Sequence, residues 1–507
     1  MNRWWWSLLV TVSGLLISLH LWQLADIPHG LYLDETSIGV NAAAIAQNGH
    51  DEHGYKWPLY FKAFGEYKNP IYIYATALIF KFGGLSDFTL RLAGPLFLAL
   101  ALVGTIYLSR LLWPKEPIIV IYLVLSVGLV PWFWPMSRIA FETISQLPAW
   151  IWTLVWLHIA YERDKETKQT PLITLSAFLF GLTAGISVYT YSTSRLLIFL
   201  LMISWLALYV RPRVWRNSLL SLGGFAVALI PYTYFALKNP GALTSRFNVI
   251  SYVGDSSLTI SDKVQLFIVN YARQFSPEFL MLHGDHNLRH ATSYGGEVYY
   301  VVAFLALMGL IWACRLTTRP RTWKIFFILN LLMSPVAAAL TTGDTGHSLR
   351  TVPEGVLLIL VSAYGLQWLV KVHLHNIWRR LTYLITISVL LIQASLYLTN
   401  YFTTYAVTSA PAFESYNLKG ALRAAVDYGP ERLLVTDAVP SIHLAWYRLT
   451  IPNLKLIPMI SLNQVTQLDN SCLISTETEA ASWPNICSEQ PIMVIRGTHS
   501  YFKTRCF

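Results

Sequence analysis

The sequence predicts an all-α polytopic membrane protein of about eleven transmembrane helices, with interfacial helices in the first outer loop and a small α/β extracytoplasmic domain at the C-terminal end. Three observations lead there. Of 507 residues, 54% are hydrophobic and only 13% charged, with a mean hydropathy of +0.46, too apolar for an ordinary soluble chain. The apolar residues gather in runs long enough to cross a bilayer. Beyond residue 400 that character fades, and the pattern becomes helix followed by strand.

The predicted spans are roughly 4–25, 88–112, 117–135, 143–161, 171–191, 195–210, 217–237, 297–314, 323–341, 351–370 and 381–399. The net charge of +10 does not point to nucleic acid, because the cations sit in every second connection: Arg110 and Lys115; Arg163, Lys165 and Lys168; Arg211, Arg213 and Arg216; Arg315, Arg319, Arg321 and Lys324; Lys371, Arg379 and Arg380. These read as the cytoplasmic loops. The other connections then face outward: 26–87, the turns at Arg138, Arg195 and Arg350, the segment 238–296 and the tail. The parity holds only if the apolar stretch 71–82 does not cross, and about twelve residues are too few to do so. The first segment lacks a small-residue cleavage site and reads as a retained span. Gly181 and Gly185 predict close helix packing, and Trp4 to Trp6, Trp132, Trp134 and Trp150 read as interfacial anchors, with a sugar platform the lesser reading for Trp132 or Trp134.

Domain boundaries follow at 1–400 for the membrane part and 401–507 for the tail. In the tail, a helix over 417–428 and strands over 432–436 and 490–496 are expected. Three of the four cysteines lie there; a Cys472–Cys487 bridge leaving Cys506 over is the natural pairing, though spacing alone leaves it open.

The outward loop 28–70 concentrates charge in a chain where charge is scarce, holding Asp34, Glu35, Asp51, Glu52, Glu66 and Lys68. A hydroxyl or amine attacking a sugar carbon needs a carboxylate to take its proton. Asp34 is placed for that, or equally to cap the helix that follows. Lys68, within Glu66-Tyr67-Lys68-Asn69-Pro70, could meet a lipid phosphate or snorkel to headgroups. Arg138 and Glu142 have the spacing of a helical salt bridge, and Glu142 is also a second acid beside the loop. Arg91, Arg195 and Arg350 are further outward cations that suit an anionic ligand. No cofactor follows from these residues. A divalent metal stays open, since His286 and His290 are four apart, but Gly284 and Asn287 favour a loop over the helix such a pair needs. A loop that touches substrate is the better reading of 283–290.

The Asp34-Glu35 pair, Tyr67-Lys68-Asn69-Pro70, Phe88-Thr89-Leu90-Arg91-Leu92, Ser137-Arg138 with Glu142, the Tyr189 to Arg195 run and the loop from Gly284 to His290 together resemble the GT-C glycosyltransferases. The branch is that of the protein O-mannosyltransferases and the aminoarabinose transferase that modifies lipid A, and the likeness covers roughly 1–370. The resemblance implies a polyprenyl-phosphate-sugar donor, such as an undecaprenyl-phosphate sugar, and inverting transfer on the outer face of the cell membrane. It implies Asp34 as catalytic base with Glu142 as second acid. Lys68 then meets the donor phosphate, Arg138 and Arg350 help, and Glu35, Glu66, Tyr67 and His290 are further substrate contacts. Lys68-Asn69-Pro70 departs from the Lys-Pro-Pro of the lipid A enzyme, and Glu142 stands where that enzyme has Asp, which leaves the acceptor open among lipid, protein and glycan. The Trp-Trp-Asp signature of oligosaccharyltransferases is absent. The alternative is a transporter or flippase of lipid-linked sugars, which calls for midspan charges that are scarce here.

Overall fold

The structure, a computed structural model, describes residues 3–162, 170–315, 321–343, 346–372, 375–413, 417–436, 439–461, 470–476 and 502–506. The cations Arg163, Lys165, Lys168 and Arg319, Cys487 and the expected strand 490–496 lie outside these residues. The helices are α1 (Arg3–Leu21), α2 (Leu33–Asn48), α3 (Pro70–Gly83), α4 (Asp87–Leu112), α5 (Pro117–Leu129), α6 (Gln146–Leu157), α7 (Pro171–Ile186), α8 (Ser194–Tyr209), α9 (Trp215–Lys238), α10 (Ile260–Gln274), α11 (Tyr300–Arg315), α12 (Arg321–Met333), α13 (Val352–Val372), α14 (Asn376–Asn400), α15 (Leu418–Tyr428) and α16 (Ser441–Thr450). Helices occupy all eleven predicted spans. Among the described residues, seven helical stretches, built on α1, α4, α7, α9, α12, α13 and α14, are long and apolar enough to cross a membrane. By length alone these seven account for seven of the eleven predicted crossings; of the others, α5, α8 and α11 are shorter apolar helices and α6 has 12 residues.

The stretch 71–82 forms α3, opened by Pro70 in its first turn. Its 14 residues rise about 21 Å, short of the roughly 30 Å hydrocarbon core. Close packing at the Gly181–Gly185 pair is as expected. A Cβ on Gly181 would lie 1.8 Å from the Ser221 carbonyl oxygen of α9, and one on Gly185 2.5 Å from the Ala228 Cβ. The same device, unforeseen from sequence, joins α11 to α13, where Cβ atoms on Gly309 and Gly365 would strike the backbone of the facing helix.

Trp132, Trp134 and Trp150 are not interfacial anchors: each is buried in the protein. Trp132 donates its indole N–H to the Ser348 carbonyl at 3.1 Å, and Trp134 packs on the His20 ring. The region after α5 folds as successive turns rather than as a helix continuing to 135, which turns Trp132 and Trp134 inward, while Trp150 lies on a buried part of α6.

In the tail, α15 is capped by Asn417, whose side chain accepts the Gly420 N–H, and buries Leu418, Ala421, Leu422 and Ala425. It lies with a four-stranded sheet of β3 (Arg432–Val435), β4 (Met459–Ser461), β5 (Ser471–Thr476) and β6 (Phe502–Cys506), ordered β4-β3-β5-β6. Strand β3 is parallel to β4 and β5, whereas β5 and β6 are antiparallel. That register sets Cys472 opposite Cys506, and these two form the disulfide. The expected Cys472–Cys487 pairing is thereby corrected: adjacency across the sheet, not nearness in sequence, selects the partner.

The tail packs directly on the segment between α1 and α4. Trp446 of α16 is fully buried and donates its indole N–H to Asp87 at 3.0 Å, and Lys419 pairs with the same carboxylate. His443 hydrogen-bonds the Leu31 carbonyl at 2.8 Å. Gly39 of α2 lets the Trp446 ring approach, since a Cβ there would lie 2.7 Å from it.

Candidate active site

Helix α2 begins at Leu33 and puts Asp34 and Glu35 in its first turn, where the helix dipole favours carboxylates. Glu35 is the one that closes this turn, with Oε1 accepting the Tyr32 backbone N–H at 3.1 Å as in a capping box. Asp34 makes no cap, and its carboxylate points elsewhere. Downstream, a hairpin of β1 (Phe61–Ala63) and β2 (Glu66–Lys68) turns through Phe64 and Gly65, both at positive φ, the geometry of a two-residue hairpin turn. The hairpin delivers Lys68 to Asp34, with Nζ 2.6 Å from Oδ1. Lys68 is buried, whereas Asp34 remains about a third exposed.

Asn69 extends the contact. Its amide donates to Glu142 Oε2 at 2.6 Å and its oxygen accepts from Arg195 at 2.7 Å. Burial presses on both partners of the Asp34–Lys68 pair, but their mutual attraction wins. The Asp34 carboxyl is held below the ordinary range, with Arg246 and Arg289 assisting, and Lys68 is held above its own. Glu142 behaves differently. Burial raises it to about 7, with the Lys68 charge and the Asn69 bonds opposing. Glu66 is also raised by burial, against the pull of Arg246, its ion-pair partner at 3.3 Å.

These groups surround one cavity of about 300 Å³. Of the residues singled out in the sequence, Asp34, Glu66, Tyr67, Lys68, Glu142, His290 and Arg350 line it. Glu35 and Arg138 are not brought to it. Glu35 is fully buried, held by Arg91 at 2.9 and 3.0 Å and by the Ala140 backbone N–H at 2.9 Å. Arg138 is fully buried too and clamps the chain after α1, donating to the carbonyls of His20 at 2.6 Å and Trp22 at 2.8 Å and to the Tyr401 hydroxyl at 3.1 Å. No Arg138–Glu142 bridge forms, because residues 131–140 are turns and the helical spacing that would align them does not exist.

Arg246, Arg289 and His347 also line the cavity. Arg289 stacks over the Tyr32 ring at 4.2 Å. It lies within the polar stretch noted in the sequence, while Arg246 and His347 carried no spacing signal. Among the described residues, those that could hold a metal are Asp285, His290 and His347, whose ligand atoms all fall within 4.8 Å of one another. His286 is exposed and outside this group, so the partner of His290 is His347 and not its neighbour four residues back.

No protein-family model matches the sequence, and no curated protein matches it significantly. Solved structures do match. ArnT from Cupriavidus metallidurans bound to undecaprenyl phosphate superposes with a TM-score of 0.59 at 13% identity, covering 100% of this chain and 98% of that one. The apo state of the same ArnT gives 0.55 at 12% identity, over 99% and 97%. Archaeal oligosaccharyltransferase AglB from Archaeoglobus fulgidus, in complex with an inhibitory peptide and a dolichol-phosphate, gives 0.53 at 14% identity over 88% of this chain and 63% of that one. At such identities the likeness speaks for architecture alone, and the architecture is the one seen in ArnT, shared over the whole length of this chain.

Proposed function

We propose that the protein is a membrane glycosyltransferase that moves a sugar from a polyprenyl-phosphate-linked donor to an acceptor on the outer face of the membrane, with inversion and with Asp34 as base. The observation that carries this reading is the Asp34–Lys68 pair at 2.6 Å, opening on a cavity that also holds Arg246, Arg289 and Arg350. One wall offers a carboxylate for the attacking hydroxyl or amine, and the rest offers cations for a phosphate. That ArnT is seen with undecaprenyl phosphate and AglB with a dolichol-phosphate supports a lipid phosphate as ligand.

In the proposed step the acceptor oxygen or nitrogen bonds to the anomeric carbon while its proton passes to Asp34. The bond from that carbon to the phosphate oxygen breaks, and its electron pair leaves with the polyprenyl phosphate. Held ionised by its neighbours, Asp34 is available at neutral pH. A lysine ammonium has three N–H groups, so Lys68 can keep Asp34 and still donate to the leaving phosphate. Glu142, joined to the pair through Asn69, is a second carboxylate at the site. The carboxylates and cations of the cavity gather from several connections between helices instead of from the middle of the spans, which favours transfer over transport.

The test is release of free polyprenyl phosphate by the detergent-solubilised protein from a panel of polyprenyl-phosphate sugars with lipid extract as acceptor. Wild type should consume one donor, and Asp34→Asn should bind it without turnover. Asp34→Asn turning over like wild type would remove the base and return the transporter reading.

A further inference from the structure

Three side chains from two separate segments converge beside the cavity, two of them lining it. Asp285 and His290 come from the loop before α11, and His347 from the turn before α13. Asp285 Oδ2 lies 2.8 Å from His290 Nδ1 and 3.7 Å from His347 Nδ1. The two imidazole rings stack with centroids 5.0 Å apart and planes at 27°. At 3.7 Å the His347 contact is too long for a hydrogen bond, and its Nδ1 is buried with no hydrogen-bond partner.

The carboxylate is held from behind. Asp285 is 4% exposed and accepts the backbone N–H groups of Asn287 at 2.9 Å and Ser348 at 3.2 Å. Glu297 ties the two segments together, its Oε1 taking the Asp285 N–H at 3.0 Å and the Ser348 hydroxyl at 2.5 Å. Such bracing is what orients ligands in metal sites. An Asp285–His290 hydrogen bond alone accounts for one histidine, but it leaves the second ring stacked on the first, with a nitrogen directed at the carboxylate and satisfied by nothing.

A divalent ion resolves that arrangement. Around a tetrahedral ion with bonds of about 2.0–2.1 Å, ligand atoms stand roughly 3.3 Å apart. The observed 2.8 and 3.7 Å bracket that spacing. We propose that Asp285, His290 and His347 form a binding site for a divalent transition metal of the zinc type, with a fourth position open to the cavity. Two imidazoles and one carboxylate select such an ion over magnesium or calcium, which prefer oxygen donors. Both histidines line the cavity, so an oxygen of a phosphate-bearing substrate can complete the coordination. That last assignment rests on the transferase reading; the three-ligand site does not.

The test uses full-length protein in detergent, with any affinity tag removed, stripped by chelator and titrated with Co²⁺ as a spectroscopic probe. One equivalent should give the visible absorption of a four-coordinate ion, displaced by Zn²⁺. Asp285→Asn and His347→Gln should each weaken binding by roughly tenfold or more, while His286→Gln should not. Wild type that binds no stoichiometric ion, or that binds it unchanged in His347→Gln, overturns the site; if the variants do not fold, the wild-type titration alone decides. Added polyprenyl phosphate should shift the Co²⁺ spectrum. Absence of that shift removes the fourth ligand and leaves the site, and since no turnover is read, failure of the transferase reading leaves the titration intact.

Discussion

Lys68 Nζ stands 2.6 Å from Asp34 Oδ1, binding the last residue of a two-stranded hairpin to the first turn of the helix beyond the first span. The pair makes each charge depend on the other. Lys68→Ala removes the largest influence lowering the Asp34 carboxyl and leaves burial, which raises it. The Asp34 carboxyl should therefore move upward, so that it loses its charge at a higher pH than in wild type. Transfer should fall by about 10²–10³-fold, the usual cost of losing one group that stabilises developing charge. Donor-dependent release of polyprenyl phosphate, followed across pH, checks both effects.

Glu142 titrates at about 7 because it is buried. Below that pH it carries a proton; above it the carboxylate forms and accepts from Asn69. If the charged form serves catalysis, the rate should rise with pH through about 7. Glu142→Gln should remove this limb and hold the rate near its low-pH level, and a wild-type-like limb in that variant would acquit Glu142.

The Glu35–Arg91 pair is wholly buried and joins α2 to the start of α4. Breaking such a pair strands a charge, at a cost of roughly 3–5 kcal/mol. Arg91→Met should lower the thermal unfolding temperature sharply, while Lys68→Ala, beside a partly exposed Asp34, should lower it far less. Fluorescence-detected unfolding in detergent separates the two.

Trp446 reaches from the tail onto Gly39 of α2, five residues past Asp34. Trp446→Ala should cost about 3–5 kcal/mol from the cavity left behind and should lower transfer as well, because α2 loses the cover that holds its first turn in place. Retained transfer in the folded variant would make the tail a bystander to the reaction.

Much of this architecture is written in composition and order. Runs of apolar residues have few places to go but a membrane, so helices appear at every predicted span. The hairpin that joins Asp34 to Lys68 is local, only 34 residues round, and both partners stood out in the sequence as charges in an outer loop. Tertiary structure decided the rest, wherever partners are distant in sequence or follow no period. Arg138 left the cavity to satisfy carbonyls at the end of α1, 111 to 119 residues away. His347 joined His290 across 57 residues, a ring stacking that no spacing rule anticipates. Cys472 found Cys506 through strand register, and the tryptophans after α5 turned inward once the chain left the helix. Hydrophobicity acts on each segment by itself and can be read along the chain; hydrogen bonds and ion pairs need the other segment in place, and only the folded chain supplies it.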